Sequence, residues 1–192
     1  LPSLKKVRKR YEKKFNKFAI AILHPVTTNI KNLERESKIF FKTLFETNIN
    51  YIVIFPNNDH GSKIILNELL RYKNYKKFKI FPSIRFEYYL TLLKNSDFII
   101  GNSSSGIMEA PYYGVSTINI GDRQKNRLKS TLIKNINFSE IKIKKSIKFV
   151  KNRKITKRHF FGKGKSAKKI LTLFKTNKIW KISNQKNFID IL

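Results

Sequence analysis

The 192 residues of the chain suffice for one domain with a hydrophobic core, and a hydrophobic content of 41% is typical of a globular rather than a disordered protein. No apolar run is long enough to span a bilayer, and residues 1–10 lack the apolar core of a signal peptide. The chain has no cysteine, which excludes disulfide bonds and thiolate metal sites. We therefore expect a cytoplasmic protein with no membrane partner, and the sequence indicates no metal ligand and no cofactor.

The net charge of +30 has two interpretations. It would suit a polyanionic partner such as nucleic acid. However, the chain has 33 lysines against 9 arginines, the lysines are spread over its whole length, and isoleucine and asparagine are also abundant, as in AT-rich coding sequence. Specific nucleic-acid sites rely more on arginine, whose planar guanidinium matches phosphates and guanine. We expect biased composition and no specific nucleic-acid partner; a basic nucleic-acid-binding module is the alternative.

Short apolar runs alternate with stretches of helical periodicity along the chain. The lysine-rich residues 1–17 are expected to form an exposed basic helix or linker, and residues 176–192 an extension of ambiguous structure. The predicted strands cover residues 18–23, 50–55, 78–81, 97–101 and 115–120, and the predicted helices cover residues 30–45, 64–72, 86–93, 104–113, 139–150 and 166–174.

This alternation predicts an α/β fold: a Rossmann-like parallel sheet with helices on both faces, in one domain over residues 18–175. The carboxyl ends of parallel strands share one edge of such a sheet, and ligands bind there. The loops that are expected to meet at this edge are residues 24–28, 56–62, 101–106 and 121–125.

The fourth predicted strand leads into Gly101-Asn-Ser-Ser-Ser-Gly106, a turn without bulky side chains. Asparagine and serine are preferred helix caps, and the free N–H groups of a first helical turn can bind an anion instead. We predict that residues 101–109 hold a phosphate and that Glu109 binds a hydroxyl group of the same ligand. The local pattern by itself slightly favours an ordinary serine-capped turn, because serine-rich turns are common.

Other loops at the same edge carry further candidates. His24 directly follows the first strand and can donate to a phosphate or sugar oxygen, although a lone histidine is more often a surface or capping residue. Arg123 can bind a phosphate through its guanidinium, or it can pair with Asp122 at the surface. For Asp59 a turn role is favoured. Gly162-Lys-Gly164 precedes the last helix and is either a second anion site or a plain glycine turn.

Five polar or glycine-rich segments follow one another along the chain: His24-Pro-Val-Thr-Thr28, Phe55-Pro-Asn-Asn-Asp-His-Gly-Ser62, Gly101-Asn-Ser-Ser-Ser-Gly-Ile-Met-Glu-Ala-Pro111, Ile118-Asn-Ile-Gly-Asp-Arg-Gln124 and Phe160-Phe-Gly-Lys-Gly164. With these motifs the chain, over about residues 18–175, resembles the C-terminal half of the UDP-N-acetylglucosamine 2-epimerases. The resemblance is greatest to the hydrolysing branch of sialic-acid-type sugar synthesis.

The resemblance implies a glycosyltransferase-B-type fold, in which two Rossmann-like domains face a cleft and the C-terminal domain holds UDP. It also implies a UDP-sugar substrate and, since the family often self-associates, a homodimer. The residues that it places at the ligand are Ser103 and Ser104 at the diphosphate, Gly106 in the same turn, Glu109 at the ribose hydroxyls, Arg123 at the nucleotide, and His24 near the diphosphate and sugar as the catalytic candidate.

The resembling hydrolysing enzymes remove the proton at sugar C2, release UDP and add water to the glycal-like intermediate, which gives N-acetylmannosamine. The acidic catalytic residues of the family lie mostly in an N-terminal domain. We expect that domain to be missing here, because the chain does not begin with methionine, and we expect the chain by itself to be inactive. Lys163 departs from the acidic residue common at this place in the family.

Three related interpretations are open at this point. The substrate could be another UDP-sugar, such as a diacetamido-trideoxy hexose. The enzyme could instead be a non-hydrolysing epimerase. The chain could also be a remnant that binds UDP without catalysis.

Overall fold

The computed structural model describes residues 1–11, 16–151, 156, 158–162, 164–176, 179–183 and 185. The chain packs as two compact units, residues 1–158 and 159–192. The division at residues 17 and 175 that the sequence suggested stays a prediction.

Within the described residues of the first unit, the strands form one parallel sheet, with a strand at each predicted position and one more that was not predicted. The strands are β1 (Ala19–Ile22), β2 (Tyr51–Ile54), β3 (Phe78–Phe81), β4 (Phe98–Gly101), β5 (Ser116–Ile120) and the unpredicted β6 (Ile133–Ile136), in the spatial order β3-β2-β1-β4-β5-β6.

Helices connect most of these strands. The helices are α1 (Leu4–Arg10), α2 (Ile30–Glu46), α3 (Ser62–Leu70), α4 (Phe86–Lys94), α5 (Ser105–Met108), α6 (Ala110–Tyr113) and α7 (Glu140–Lys151) in the first unit and α8 (Ser166–Phe174) in the second, with short 3-10 turns at Thr27–Asn29 and Ile179–Lys181. None of the helices in the described residues is both long and apolar enough to cross a bilayer.

The core lies on both faces of the sheet, as the sequence predicted. In β1, Ala19 and Ala21 pack with residues of α2, α3 and α7, whereas Ile20 and Ile22 pack with residues of α1, α4 and α6. Every residue of β1 is buried, which explains why the strand is a continuous apolar run rather than an alternating one.

The strand order fixes where a ligand can bind. From β1 the chain first moves outward through β2 and β3, and it then returns to the other side of β1 with β4, β5 and β6. The chain therefore leads from β1 to α2 on one face of the sheet and from β4 to α6 on the other face, and such a reversal of strand order is the usual ligand site of open parallel sheets.

Two predictions on the helices need correction. The helix expected at 104–113 is divided at Glu109 into α5 and α6, and Pro111 explains the division because it has no N–H to donate to the carbonyl of Ile107. It ends as predicted at Gly114, which has φ +73°. The N-terminal helix α1 is not fully exposed, since it buries Val7 completely against the sheet.

Candidate functional site

A cleft of about 430 Å³ opens at the crevice between the loops that follow β1 and β4. One wall is polar and contains His24, Ser103, Ser104 and Glu109, which the sequence analysis selected. The opposite wall comes from the ends of β2 and β3 and from the start of α4. Its main apolar side chains are Phe55, Pro56, Pro82, Ile84 and Phe86.

The turn after β4 lies unusually close to β1. Gly101 has φ +133°, and a Cβ atom at this position would lie 1.8 Å from the carbonyl oxygen of Ile22. The next residue, Asn102, donates its backbone N–H to that same oxygen at 3.1 Å. Glycine is therefore required at position 101 both for the backbone conformation and for the close approach.

Gly106 closes the turn by packing α5 on β5. A Cβ atom on Gly106 would lie 2.6 Å from Cγ2 of Thr117, and the Thr117 hydroxyl donates to the carbonyl of Gly106 at 2.6 Å. Gly106 is buried, so its evident role is close packing of the turn. That it also contacts a ligand stays a prediction.

The serines of the turn face the cleft and are partly exposed. Ser103 accepts the backbone N–H of Ser105 at 3.3 Å, while the side chain of Ser104 makes no capping hydrogen bond to α5. Because α5 has four residues, the helix dipole that the sequence suggested contributes little. Any anion here would depend on hydroxyl and backbone donors of the turn.

His24 is held in one orientation by hydrogen bonds to its backbone and to its ring. Its backbone N–H donates to the side-chain oxygen of Asn102 at 2.7 Å, and its carbonyl accepts from the Asn102 side-chain nitrogen at 2.8 Å. The backbone N–H of Asn57 donates to Nδ1 of the ring at 3.0 Å. Nδ1 is therefore unprotonated, and in the neutral ring the proton is on Nε2.

The surroundings of His24 keep the ring neutral. The pKa of His24 is lowered to about 4, mainly by burial and secondly by the positive charge of Arg123, while Asp59 and the side chain of Asn57 act in the opposite direction. At neutral pH the ring therefore acts as a hydrogen-bond donor through Nε2 and not as an imidazolium ion.

Arg123 lies behind the turn and is absent from the described lining of the cleft. Its Nη1 donates to the carbonyl of Asn102 at 3.3 Å, and its Nη2 is 3.9 Å from the carboxylate of Asp59. The proposed surface pair of Arg123 with Asp122 is not formed, since Asp122 pairs with Lys125 at 3.1 Å. Asp59 is thus more than a turn residue, because it balances the charge of Arg123.

Two contributors were missed by the sequence analysis. Tyr89 lines the cleft, and its hydroxyl is hydrogen-bonded to Ser105; burial raises its pKa above the ordinary value, which keeps the hydroxyl protonated. From its helical spacing, Tyr89 was predicted only as part of the helix at residues 86–93. Asn102 was treated as one of several capping residues, although its position directly after Gly101 was a signal that it could reach β1.

The glycine turn of the second unit differs from this site. Gly162 and Gly164 have φ values of +99° and +73°, and a Cβ atom on either would meet no atom of the described residues within 4 Å. Lys163, between them, lies outside the described residues. The turn precedes α8, whose described residues are all exposed. This geometry fits the glycine-turn interpretation, and anion binding there stays a prediction.

Residues 1–175 match the family model of UDP-N-acetylglucosamine 2-epimerases. The chain is 39% identical over 195 aligned residues to the UDP-N-acetylglucosamine 2-epimerase of Neisseria meningitidis, an alignment that covers 100% of the chain and 52% of the relative. It is also 41% identical over 142 residues to the GDP/UDP-N,N'-diacetylbacillosamine 2-epimerase (hydrolyzing) of Campylobacter jejuni, covering 71% of the chain and 36% of the relative. The chain thus spans about half the length, or less, of these relatives.

Solved structures agree on the fold. The UDP-GlcNAc 2-epimerase of Methanocaldococcus jannaschii, in complex with UDP-GlcNAc and UDP, superposes with a TM-score of 0.73 at 21% identity and covers 89% of this chain and 48% of that one. The Escherichia coli heptosyltransferase WaaC with ADP superposes with a TM-score of 0.52 at 10% identity, over 72% and 46% of the two chains. The Rossmann-like fold of the glycosyltransferase-B type that the sequence predicted is confirmed.

Proposed function

Because the chain belongs to the UDP-N-acetylglucosamine 2-epimerase family, we propose that it is the UDP-binding C-terminal half of a hydrolysing UDP-N-acetylglucosamine 2-epimerase. The complete enzyme would convert UDP-N-acetylglucosamine and water into N-acetylmannosamine and UDP. The observation that carries the proposal is the cleft at the strand-order reversal, where His24 lies beside the Ser103-Ser104 turn and Glu109.

The polar wall suits a diphosphate that leaves as an anion. Negative charge develops on the diphosphate when its bond to sugar C1 breaks, and donors already fixed in position stabilise that charge without reorganisation. The hydroxyls of Ser103 and Ser104 are candidates for these donors. The guanidinium of Arg123, 3.3 Å from the carbonyl of Asn102 on the far side of the turn, adds positive charge nearby.

His24 would serve as a neutral donor. Its Nε2–H can donate to a diphosphate or sugar oxygen, because Nδ1 is already occupied by the N–H of Asn57. Neither ring nitrogen is then free to accept a proton from carbon. We therefore assign the base that removes the C2 proton to the half of the enzyme that this chain lacks.

The proposed reaction has two steps. In the first, a base takes the proton from sugar C2, and the electron pair of that C–H bond forms the C1–C2 double bond. UDP leaves with the electrons of the C1–O bond. In the second, water adds across that double bond, with hydroxyl to C1 and a proton to C2 on the opposite face. The chain described here would hold the leaving UDP in both steps, with the Glu109 carboxylate accepting hydrogen bonds from the ribose hydroxyls.

A second candidate has its own support. The 41% identity to the C. jejuni relative, whose name specifies a hydrolyzing enzyme for diacetylbacillosamine linked to GDP or UDP, favours the hydrolysing reaction but also admits a diacetamido-trideoxy hexose as the sugar. The serine turn and Glu109 would meet the nucleotide part of either substrate, so the identity of the sugar depends on residues elsewhere.

Isothermal titration calorimetry of the 192-residue chain with UDP tests the binding half of the proposal. We expect binding, and we expect Ser103→Ala combined with Ser104→Ala to weaken it about tenfold, because hydrogen bonds to a charged group are lost. Ser96→Ala is a matched control, since Ser96 lies two residues before the start of β4, at the opposite edge of the sheet, and its hydroxyl donates to the carbonyl of Leu93.

A second set of variants tests whether UDP binds at a specific site or is held by the overall positive charge of the chain. Lys142, Lys145 and Lys148 lie on α7, outside the described lining of the cleft. Changing these three lysines to glutamine should leave UDP affinity within about twofold at physiological salt, where exposed charges are screened beyond about 8 Å. Equal losses in the lysine and serine variants would contradict the proposal. Tight, salt-dependent binding of random oligonucleotides that UDP does not affect would favour the nucleic-acid-binding alternative.

The reaction itself requires the rest of the enzyme. We would fuse the chain to the remaining half of the N. meningitidis relative and follow UDP-N-acetylglucosamine by NMR. Free N-acetylmannosamine is the expected product. UDP-N-acetylmannosamine without release of UDP would indicate the non-hydrolysing reaction, and turnover of a diacetamido-trideoxy sugar in preference would indicate the second candidate.

A further inference from the structure

Asn102, directly behind the polar wall of the cleft, connects three of the loops that meet there. It follows Gly101 at the end of β4, and 1% of its surface is exposed. His24, which contacts Asn102, and Ser103, which follows it in the chain, both line the cleft. Asn102 is not part of the described lining. Its influence on a ligand would therefore be indirect.

The side chain of Asn102 extends the pairing of β1 with β4 beyond the last rung of the sheet. The regular ladder ends where Ile22 pairs with Gly101. One position further, the Asn102 amide oxygen accepts the backbone N–H of His24 at 2.7 Å, and the amide nitrogen donates to the His24 carbonyl at 2.8 Å. Both backbone groups of His24 are thus bound by one side chain.

The main chain of Asn102 is bound from the opposite side by the loop after β5. Its carbonyl accepts Nε2 of Gln124 at 3.2 Å and Nη1 of Arg123 at 3.3 Å. Gln124 is 2% exposed, so this bond is shielded from water. One buried residue therefore ties together His24, the start of the serine turn and Arg123.

The chemistry of this position requires asparagine. The two bonds to His24 need one donor and one acceptor at the end of a short side chain, which a primary amide provides. An ionised aspartate has the same shape but accepts hydrogen bonds without donating them, so it would face the His24 carbonyl with a negative charge. Alanine would lose both bonds and leave two partly buried backbone groups of His24 without these partners.

We propose that Asn102 is a positioning residue that fixes the backbone of His24, and with it the direction in which the Nε2–H points into the cleft. Gln124 supports Asn102 from behind. The effect on UDP affinity rests on the proposed function, but the effect on the His24 ring does not require a ligand.

The His24 ring nitrogens provide a readout that a merely structural role would not change. NMR of the ¹⁵N-labelled 192-residue chain, with signals assigned by comparison with His24→Gln, should show one fixed tautomer for His24 in the wild type. Asn102→Asp should replace this pattern by averaged ring signals. Asn119→Asp is the matched control, because Asn119 is equally buried but donates to Asn135; it should leave the His24 signals unchanged.

Gln124→Met is the milder variant, and it decides the matter if Asn102→Asp does not fold. It keeps most of the side-chain volume but removes the donor to the Asn102 carbonyl, so the His24 signals should shift in the same direction by less. UDP affinity should fall about tenfold in Asn102→Asp and less in Gln124→Met. Unchanged His24 ring signals in both variants would overturn the proposal, whether or not UDP binds. Absence of UDP binding by the wild type would instead overturn the proposed function.

Discussion

Among the glycine-containing turns that precede helices in the described residues, those before α5 and before α8 differ in how tightly they are packed. In the turn that follows β4, a side chain at Gly101 or Gly106 would collide with Ile22 or Thr117. In the turn before α8, a Cβ atom at Gly162 or Gly164 would meet nothing within 4 Å in the part of the chain that the structure describes. The sequences of both turns suggested anion sites, but one is enclosed by neighbouring strands and the other is open. The packing around a glycine turn therefore determines how firmly its backbone is held in place.

The largest effect is expected from Gly101→Ala. The added Cβ atom would lie 1.8 Å from a backbone oxygen in a conformation that L-residues rarely adopt. Neither the strand nor its neighbour can move without breaking the ladder, so we expect a loss of about 4 kcal/mol or more in the free energy of unfolding. Urea unfolding followed by circular dichroism measures it.

Gly164→Ala is the matched control in the open turn. Its cost should be about 1 kcal/mol, because a left-handed φ of +73° is strained for alanine but no atom is displaced. The single tryptophan, Trp180, stacks on Phe174 at the end of α8, so its fluorescence reports on this unit. Similar losses in Gly101→Ala and Gly164→Ala would contradict the distinction between the two turns.

Gly106→Ala should have an intermediate effect that a second substitution can relieve. The added Cβ atom would lie 2.6 Å from Cγ2 of Thr117, and overpacking of this kind costs about 2 kcal/mol. Thr117→Ser removes that methyl group but keeps the hydroxyl that donates to the Gly106 carbonyl. A double-mutant cycle by urea unfolding should therefore show a favourable coupling between Gly106→Ala and Thr117→Ser. Purely additive changes in the free energy of unfolding would mean that the Thr117 methyl group is not what makes a Cβ atom at position 106 unfavourable.

The last prediction concerns the ring of His24, whose backbone is hydrogen-bonded to Asn102 of the enclosed turn. The pKa of His24 is about 4 in the folded chain and 6.5 is its ordinary value, so between these values the unfolded chain binds more protons. The contribution of His24 to stability is therefore complete above pH 6.5 and is lost as the pH falls toward 4. Because the ring is partly exposed, the total is on the order of 2 kcal/mol or less.

His24→Gln should remove this part of the pH dependence. Urea unfolding of both proteins between pH 4 and pH 7 should show that the free energy of unfolding rises less steeply with pH in the variant. The two proteins differ only at position 24, so the difference between their pH profiles isolates His24. Parallel pH profiles would show that the ring is not kept neutral by the fold.

Much of the site could be predicted from local sequence. The buried strand before Gly101 and the polar loops after the strands predicted the sheet edge and four residues that line the cleft, His24, Ser103, Ser104 and Glu109. The strand β6 was missed because it lies at the edge of the sheet and is only partly buried, so Ile133–Ile136 gives a weak apolar signal. Asn102 and Tyr89 were undervalued because their roles depend on contacts with residues far away in the sequence.

The sequence by itself determined the alternation of strands and helices, the turn without bulky side chains after β4, and the family. The alternation and the turn follow from apolar periodicity and from local preferences for small and capping residues, which act over a few positions, whereas the family follows from the resemblance of the five motif segments. The tertiary structure decided which of two glycine turns is enclosed, that His24 is neutral, and that Arg123 lies behind the serine turn rather than in the cleft. These properties depend on burial and on contacts between loops such as residues 24–28 and 101–106, which come together only when the parallel strands pair.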